Sequence, residues 1–233
     1  VNRLYILLSL LLLGVGICAQ PDRNQKFVAA GYVGANFTQV HGDSYFGYNK
    51  PGLRFGIETQ YLWRPKYFVS LGVGFSQEGA RPSNGEVDQR GGNATVLKLS
   101  MVEIPLLFNY RLGSKEASRK ANNYALYRST TLQLGVKLTR LTGFQTANRG
   151  FFDQLLPDPV YTEADIEFQD FDFAVVGGVT FQLGLRYGVF LQHSLSVRGL
   201  YRPDDVKLAQ EGPYDVTQLR PYSITVGGKL VLY

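Results

Sequence analysis

A period of two, held from Leu53 to Phe75, restricts this chain more than any other feature. Leu53, Phe55, Ile57, Tyr61 and Trp63 fall on one parity, and Arg54, Gly56, Glu58 and Gln60 on the other. That is the pattern of a strand with one apolar and one polar face. After Arg64-Pro65-Lys66, the residues Tyr67, Val69, Leu71, Val73 and Phe75 alternate with Ser70, Gly72, Gly74 and Ser76. The two runs make a tight hairpin, with Pro65 placed where no ladder N–H is needed.

Alternation fits a protein core and a lipid contact equally well, so the polar face has to decide between them. A soluble sheet shows Lys and Glu to water. Here that face is Gly, Ser, Thr and Gln with occasional charges, the filling of a narrow barrel lumen. Tyr61, Trp63 and Tyr67 gather at the strand ends beside Arg64 and Lys66, as an interfacial girdle does. The apolar face therefore reads as the lipid-facing one.

The N-terminus carries Arg3, an apolar run from Leu4 to Ile17, then Cys18-Ala19-Gln20. This reads as a secretory signal peptide over residues 1–19, cleaved after Ala19, with a barrel domain over 20–233. Bulky Ile17 stands where a lipid-attachment site wants a small residue. The single cysteine of the chain leaves with that segment, which excludes a disulfide, a cysteine nucleophile and a thiolate metal site from the remainder. Losing Arg3 takes the formal charge from +5 to +4, and no run of Lys and Arg marks a nucleic-acid surface. A mean hydropathy near zero agrees with apolarity carried by alternation.

Beyond the hairpin, a first strand starts near Phe27. Small Ala29, Gly31 and Ala35 share the parity of Phe27, Val33 and Phe37, which leaves its faces open. Gln39–Lys50 and Gln77–Ala94 read as polar, Gly-rich loops. A fourth strand runs from Val96 to Arg111, with Val102, Ile104, Leu106, Phe108 and Tyr110 outward and a bulge or kink expected at Pro105. Leu132, Leu134, Val136 and Leu138 mark a fifth strand, and Thr142–Glu167 the longest loop. Phe171 to Leu183 and Tyr187 to Val197 make strands six and seven around Gly184-Leu185, and Leu219–Tyr233 the last.

The sum is an all-β chain, an eight-stranded antiparallel up-and-down transmembrane β-barrel. Connections are long after strands one, three, five and seven, and short after two and six. The one after strand four is long where that scheme wants it short. Both termini then lie on the periplasmic side.

Gly34-Ala35-Asn36-Phe37, Gly42-Asp43, Gly47-Tyr48-Asn49-Lys50-Pro51-Gly52, Phe75-Ser76-Gln77-Glu78-Gly79-Ala80 and Glu103-Ile104-Pro105-Leu106-Leu107 together resemble the PorT-like outer membrane β-barrel family of Bacteroidota. The resemblance is strongest over the first four strands. It implies an eight-stranded barrel of the outer membrane with no catalytic residues to carry over. The family's namesake is tied to type IX secretion, which makes an accessory role there an alternative.

Arg54, Glu58, Glu78, Lys98, Glu103, Lys137, Asp170, Asp172, Arg186, Arg198 and Lys229 are expected to face the lumen. In a narrow low-dielectric interior each needs a partner, so they read as a pairing network rather than a gated ion path. His41, Asp43 and Ser44 share the first outer loop, where a lipid-modifying enzyme would place such groups, but Gly42-Asp43-Ser44 is also ordinary turn chemistry. His193 falls on the outward parity between Leu191 and Leu195. A lipid deacylase would want a serine where Leu195 stands, so His193 is expected near an interface or shielded by a neighbour. The acidic stretch Asp153–Glu167 has no calcium-loop spacing. Tyr233 ends the chain with an aromatic, as a barrel-insertion signal does, on the parity of Lys229.

No catalytic residue, cofactor-binding residue or metal ligand is assigned, and no cofactor. The expected partners are outer membrane lipid and a protein met through outer loops or periplasmic turns. A non-enzymatic scaffold of the cell outer membrane is the first reading. A lipid-modifying enzyme and a soluble lipocalin-type carrier remain as alternatives.

Overall fold

The computed structural model describes residues 26–41, 46–64, 66–83, 96–112, 129–146, 170–184, 186–199 and 220–232. The segment 1–19 expected to be a signal peptide, Asp43, Ser44, Pro65, the acidic stretch Asp153–Glu167 and Tyr233 lie outside them. Eight strands follow one another: β1 Phe27–His41, β2 Lys50–Arg64, β3 Tyr67–Ala80, β4 Leu97–Leu112, β5 Thr130–Thr146, β6 Phe171–Gln182, β7 Tyr187–Ser196 and β8 Arg220–Leu232. Each pairs antiparallel with the next and β8 returns to β1, so the sheet closes into a barrel without an edge.

The closure settles the first strand. Val28, Ala30, Tyr32, Asn36, Thr38 and Val40 are buried, while Phe27, Val33 and Phe37 face out. All around the barrel the outward rows are apolar, with Ile57 65% exposed, Leu134 63% and Leu191 45%. The inward rows hold Arg54, Glu58, Glu103, Asn109, Gln133, Lys137 and Gln192, each buried. A fold with its charges inside and its leucines outside is stable only where the surroundings are apolar, that is, in lipid.

Pro105 introduces no bulge into β4. Leu71↔Leu106 and Gly74↔Glu103 keep one register with β3 on either side of a two-pair gap at Pro105 and Ile104, and Pro105↔Lys137 belongs to a continuous ladder with β5. The proline ring faces the lumen beside Gly72, where any side chain would crowd it. The irregularity lies instead between Ser100 and Met101, whose partners on β5 are Gly143 and Leu141. The extra residue is therefore Thr142, and its Oγ1 donates to Ser100 O at 2.9 Å. This also explains why β5 continues to Thr146 past the expected start of a loop at Thr142. The bulge breaks the alternation that would have revealed the strand.

The lumen is not uniformly polar, as its small polar residues had suggested. Val28, Ala30, Val231 and Leu62 pack together at the end that carries the short β2–β3 and β6–β7 turns. Phe68 is buried at the same end under the Arg111 guanidinium, 4.9 Å from its ring centre. Val40, Leu97, Leu99 and Met101 are buried toward the long-loop end. The charged layer lies between these two apolar ones.

Candidate functional site

The charged layer is held by side chains that reach over a neighbouring strand to the next. Arg54 on β2 donates from Nε to Glu103 Oε1 on β4 at 2.6 Å, and from Nη1 to Gln192 Oε1 on β7 at 2.6 Å. Lys137 on β5 donates to Glu78 Oε1 on β3 at 3.0 Å and lies 3.4 Å from Glu103 Oε2. Asn36 Nδ2 donates to Ser76 Oγ at 2.8 Å, and Ser76 Oγ to Glu78 Oε1 at 3.1 Å. Thr225 Oγ1 donates to Asn36 Oδ1 at 2.5 Å and accepts from Arg54 Nη1 at 3.5 Å. These contacts close a ring through Arg54, Glu103, Lys137, Glu78, Ser76, Asn36 and Thr225.

A branch leaves the ring at Arg54 through Gln192, whose Nε2 donates to Gln133 Oε1 at 2.9 Å. Gln133 in turn donates to Asn109 Oδ1 at 2.8 Å, and Asn109 Nδ2 to Ser70 Oγ at 3.1 Å. Nearer the short turns, Lys229 Nζ and Gln60 Nε2 both donate to Glu58 Oε1, at 2.9 and 2.7 Å. Asp172, toward the long loops, accepts from Ser196 Oγ at 2.9 Å and from the Gly199 N–H at 3.1 Å.

Every charge in this layer has a hydrogen-bonded partner, as a buried charge requires. Glu103 Oε2 makes no hydrogen bond and meets Lys137 only as an ion-pair neighbour. Between Tyr32, Arg54, Glu58, Pro105 and Phe190 the remaining cavity is about 10 Å³, room for no more than one water. At this level, among the described residues, the lumen offers neither a continuous water column nor a ligand pocket.

Seven of the eleven charges expected in the lumen are buried there: Arg54, Glu58, Glu78, Glu103, Lys137, Asp172 and Lys229. Four are not. Lys98 is exposed on the outer face of β4, because the extra residue of the bulge sits on β5 and leaves the alternation of β4 unbroken between Lys98 and Val102. Asp170 and Arg198 are exposed beyond the ends of β6 and β7, where parity no longer fixes direction, and Asp170 lies 4.0 Å from Arg140. Arg186 is half-buried in the turn before β7.

The two histidines stand on the outer wall near the long loops. His41 stacks on Tyr222 with ring centres 6.1 Å apart. His193 Nε2 lies 2.8 Å from the hydroxyl of Tyr48, which comes from the first outer connection. Burial, and after it the neighbouring Tyr222, pushes the Tyr48 phenol above its ordinary value. Ser194 points into the barrel, and Leu195 occupies the outward place on His193's face. Sequence had suggested a shielding neighbour for His193 but could not name Tyr48, which is 145 residues away. Among the described residues no group of three His, Cys, Asp or Glu is placed to hold a metal ion.

No family model matches the chain, and no curated protein does. Solved structures of similar course include Ail, the attachment invasion locus protein of Yersinia pestis, at 9% identity and a TM-score of 0.44, over 89% of this chain and 100% of that one. Neisserial surface protein A matches at 12% identity and 0.42, over 88% and 95%. The outer membrane protein OprG from Pseudomonas aeruginosa matches at 12% and 0.43, over 91% and 100%. At such identities no activity carries over.

Proposed function

We propose that this protein is a non-enzymatic integral barrel of the outer membrane, a lipid-embedded scaffold that meets a partner through its outer loops or periplasmic turns. The observation that carries the reading is the pairing of an apolar outer wall with a lumen filled by the Arg54–Glu103–Lys137–Glu78 network. A carrier of lipocalin type needs an apolar cavity inside, and a porin needs a water path. At the level of this network the described residues leave room for neither.

Fractionation of cells without detergent tests this directly. The protein is expected in the membrane pellet and released by detergent. Recovery in the soluble fraction would sink the membrane reading. A lipid profile altered by deletion of the gene would reinstate the lipid-modifying enzyme.

The likeness to PorT-like barrels supports a narrower version, an accessory place in type IX secretion. The residues that carry the likeness include Asn36, Glu78 and Glu103, which here build the lumen network. Unimpaired cargo export from a deletion strain would remove this version while leaving the scaffold reading intact.

A further inference from the structure

Two outward rows of the barrel wall run across the same strands, one above the other. The lower is Tyr187, Leu230, Gly31, Ile57 and Val73, and the upper is Val189, Gly228, Val33, Phe55 and Phe75. Each row drops to a glycine where its neighbours are bulky. The result is a shallow, almost wholly apolar groove of about 730 Å³, within the size range of lipid and small-molecule sites.

Packing within the chain does not require these two glycines. A Cβ on Gly228 would meet nothing within 4 Å, and one on Gly31 only Gly56 O at 3.9 Å; Gly177, beside His193, is equally open. At Gly34, Gly56, Gly178 and Gly227, by contrast, a Cβ would run into backbone or side-chain atoms under 3 Å away. A strand glycine with open space before it weakens the sheet, and it marks a place where something else comes close.

The rim at the short-turn end of the barrel gives the charge of that visitor. Lys26, Arg64, Lys66, Arg111 and Arg186 stand there, and among the described residues no Asp or Glu does. Arg186 immediately precedes Tyr187 of the groove. Lys26 is held against β2 by its carbonyl, which accepts from Leu62 N at 2.7 Å, and Arg64 lies over the Trp63 ring. Two of the three connections at this end, β2–β3 and β6–β7, are short, which sets this rim in the periplasmic leaflet, where a phosphodiester headgroup would complement its cations. A second copy docked through this wall would bring two cationic rims together in one leaflet, an arrangement disfavoured by like-charge repulsion.

We propose that the wall formed by β7, β8, β1 and β2 binds an anionic diacyl phospholipid of the periplasmic leaflet, with its phosphate among Arg186, Lys26 and Arg64 and an acyl chain in the groove floored by Gly31 and Gly228. This rests on the membrane reading above. The groove alone would take any acyl chain, and the rim alone would take any anion. Their adjacency selects a lipid that has both.

The test uses the full barrel in nanodiscs made from equal parts of phosphatidylglycerol and phosphatidylcholine, with co-purifying lipid identified by native mass spectrometry after transfer to mild detergent. Phosphatidylglycerol is expected to be retained at least tenfold over phosphatidylcholine. The triple variant Arg186→Gln/Lys26→Gln/Arg64→Gln is expected to lose that preference. Gly31→Leu/Gly228→Leu, which fills the groove where a side chain has room, is expected to lower retention of both lipids. A gel-mobility shift on heating checks that each variant is folded.

Equal retention of the two lipids by the unaltered protein would overturn the proposal. So would an undiminished preference in the triple variant, or an unchanged amount of bound lipid in the leucine variant. Dimers in the unaltered protein that the leucine variant abolishes would assign the groove to a second copy instead. If the protein entered no nanodisc at all, the membrane reading would fail rather than the lipid preference.

Discussion

The hydroxyl of Tyr32 on β1 donates to Glu103 Oε1 on β4 at 3.1 Å, across two whole strands. The row that joins the two residues reads Tyr32, Gly56, Gly74, Glu103. The strands between them contribute only glycine at that level, so the phenol lies flat along the inner wall over two vacant positions. Phe190 on β7 lies over Gly227 on β8 in the same manner, and its ring meets Tyr32 edge to face at 6.2 Å.

That arrangement makes Gly74→Ala a sensitive substitution. The new methyl group would collide with the Tyr32 hydroxyl and with Phe55 O. A loss of about 1–3 kcal/mol is expected on overpacking of this kind, read as a lower denaturant midpoint for unfolding from lipid vesicles. Tyr32→Phe in the same chain should recover part of that loss, because one of the two collisions goes. Gly228→Ala, into open space facing lipid, should be neutral or stabilising.

Arg54 and Glu103 are expected to behave as a coupled pair. Removing either leaves a buried charge short of a partner, and Glu103→Ala or Arg54→Ala should each destabilise by about 3–5 kcal/mol. The double replacement Arg54→Ala/Glu103→Ala should lose less than the sum of the single changes, since Lys137 keeps Glu78 and neither member of the Arg54–Glu103 pair is left as a buried charge facing its missing partner. Additive losses in a double-mutant cycle would refute the coupling.

Conductance offers a separate check of the filled lumen. In planar bilayers the unaltered protein should show no steady ion current. Arg54→Ala/Lys137→Ala removes the two cations that hold the ring together and should let current through if the barrel stays folded. A steady current through the unaltered protein would contradict the sealed interior.

The direction of the wall can be read by labelling. Cysteine placed at Leu134, 63% exposed, should react with a bilayer-restricted reagent. Cysteine at the next position, Gln133, 4% exposed, should resist both that reagent and a water-soluble one. Labelling of position 133 from bulk water would reverse the assignment of the faces.

Tyr48→Phe removes the hydroxyl that meets His193. The bond is partly exposed, so stability should fall by about 1 kcal/mol or less. Its clearer signature should be faster amide exchange in the connection from Phe46 to Asn49, without change in the strands below.

Much of the fold could be read along the chain because a strand's two faces are written into its alternation. The parity of Phe55, Val73, Val102 and Leu134 marks the lipid side of β2, β3, β4 and β5 in the sequence alone. It does not do so for β1, where Ala29, Gly31 and Ala35 are small on the outward side and Val28, Ala30 and Val40 are apolar on the inward side. There burial is decided by closure against β8, not by side-chain chemistry. Parity also fails just outside the strands, as at Asp170 and Arg198, and across a bulge such as Thr142.

The residue pattern by itself determined the strands, the faces of β2 to β5, and seven of the eleven charges assigned to the interior, because those follow from a repeat of two and from the exclusion of ions from lipid. Only the tertiary structure decided which charge meets which. Arg54 finds Glu103, Lys137 finds Glu78, Lys229 finds Glu58 and Gln192 finds Gln133 by reaching over the strand between them. A curved sheet turns inward side chains toward its axis, so partners are set by closure and stagger around the barrel, neither of which a linear pattern contains.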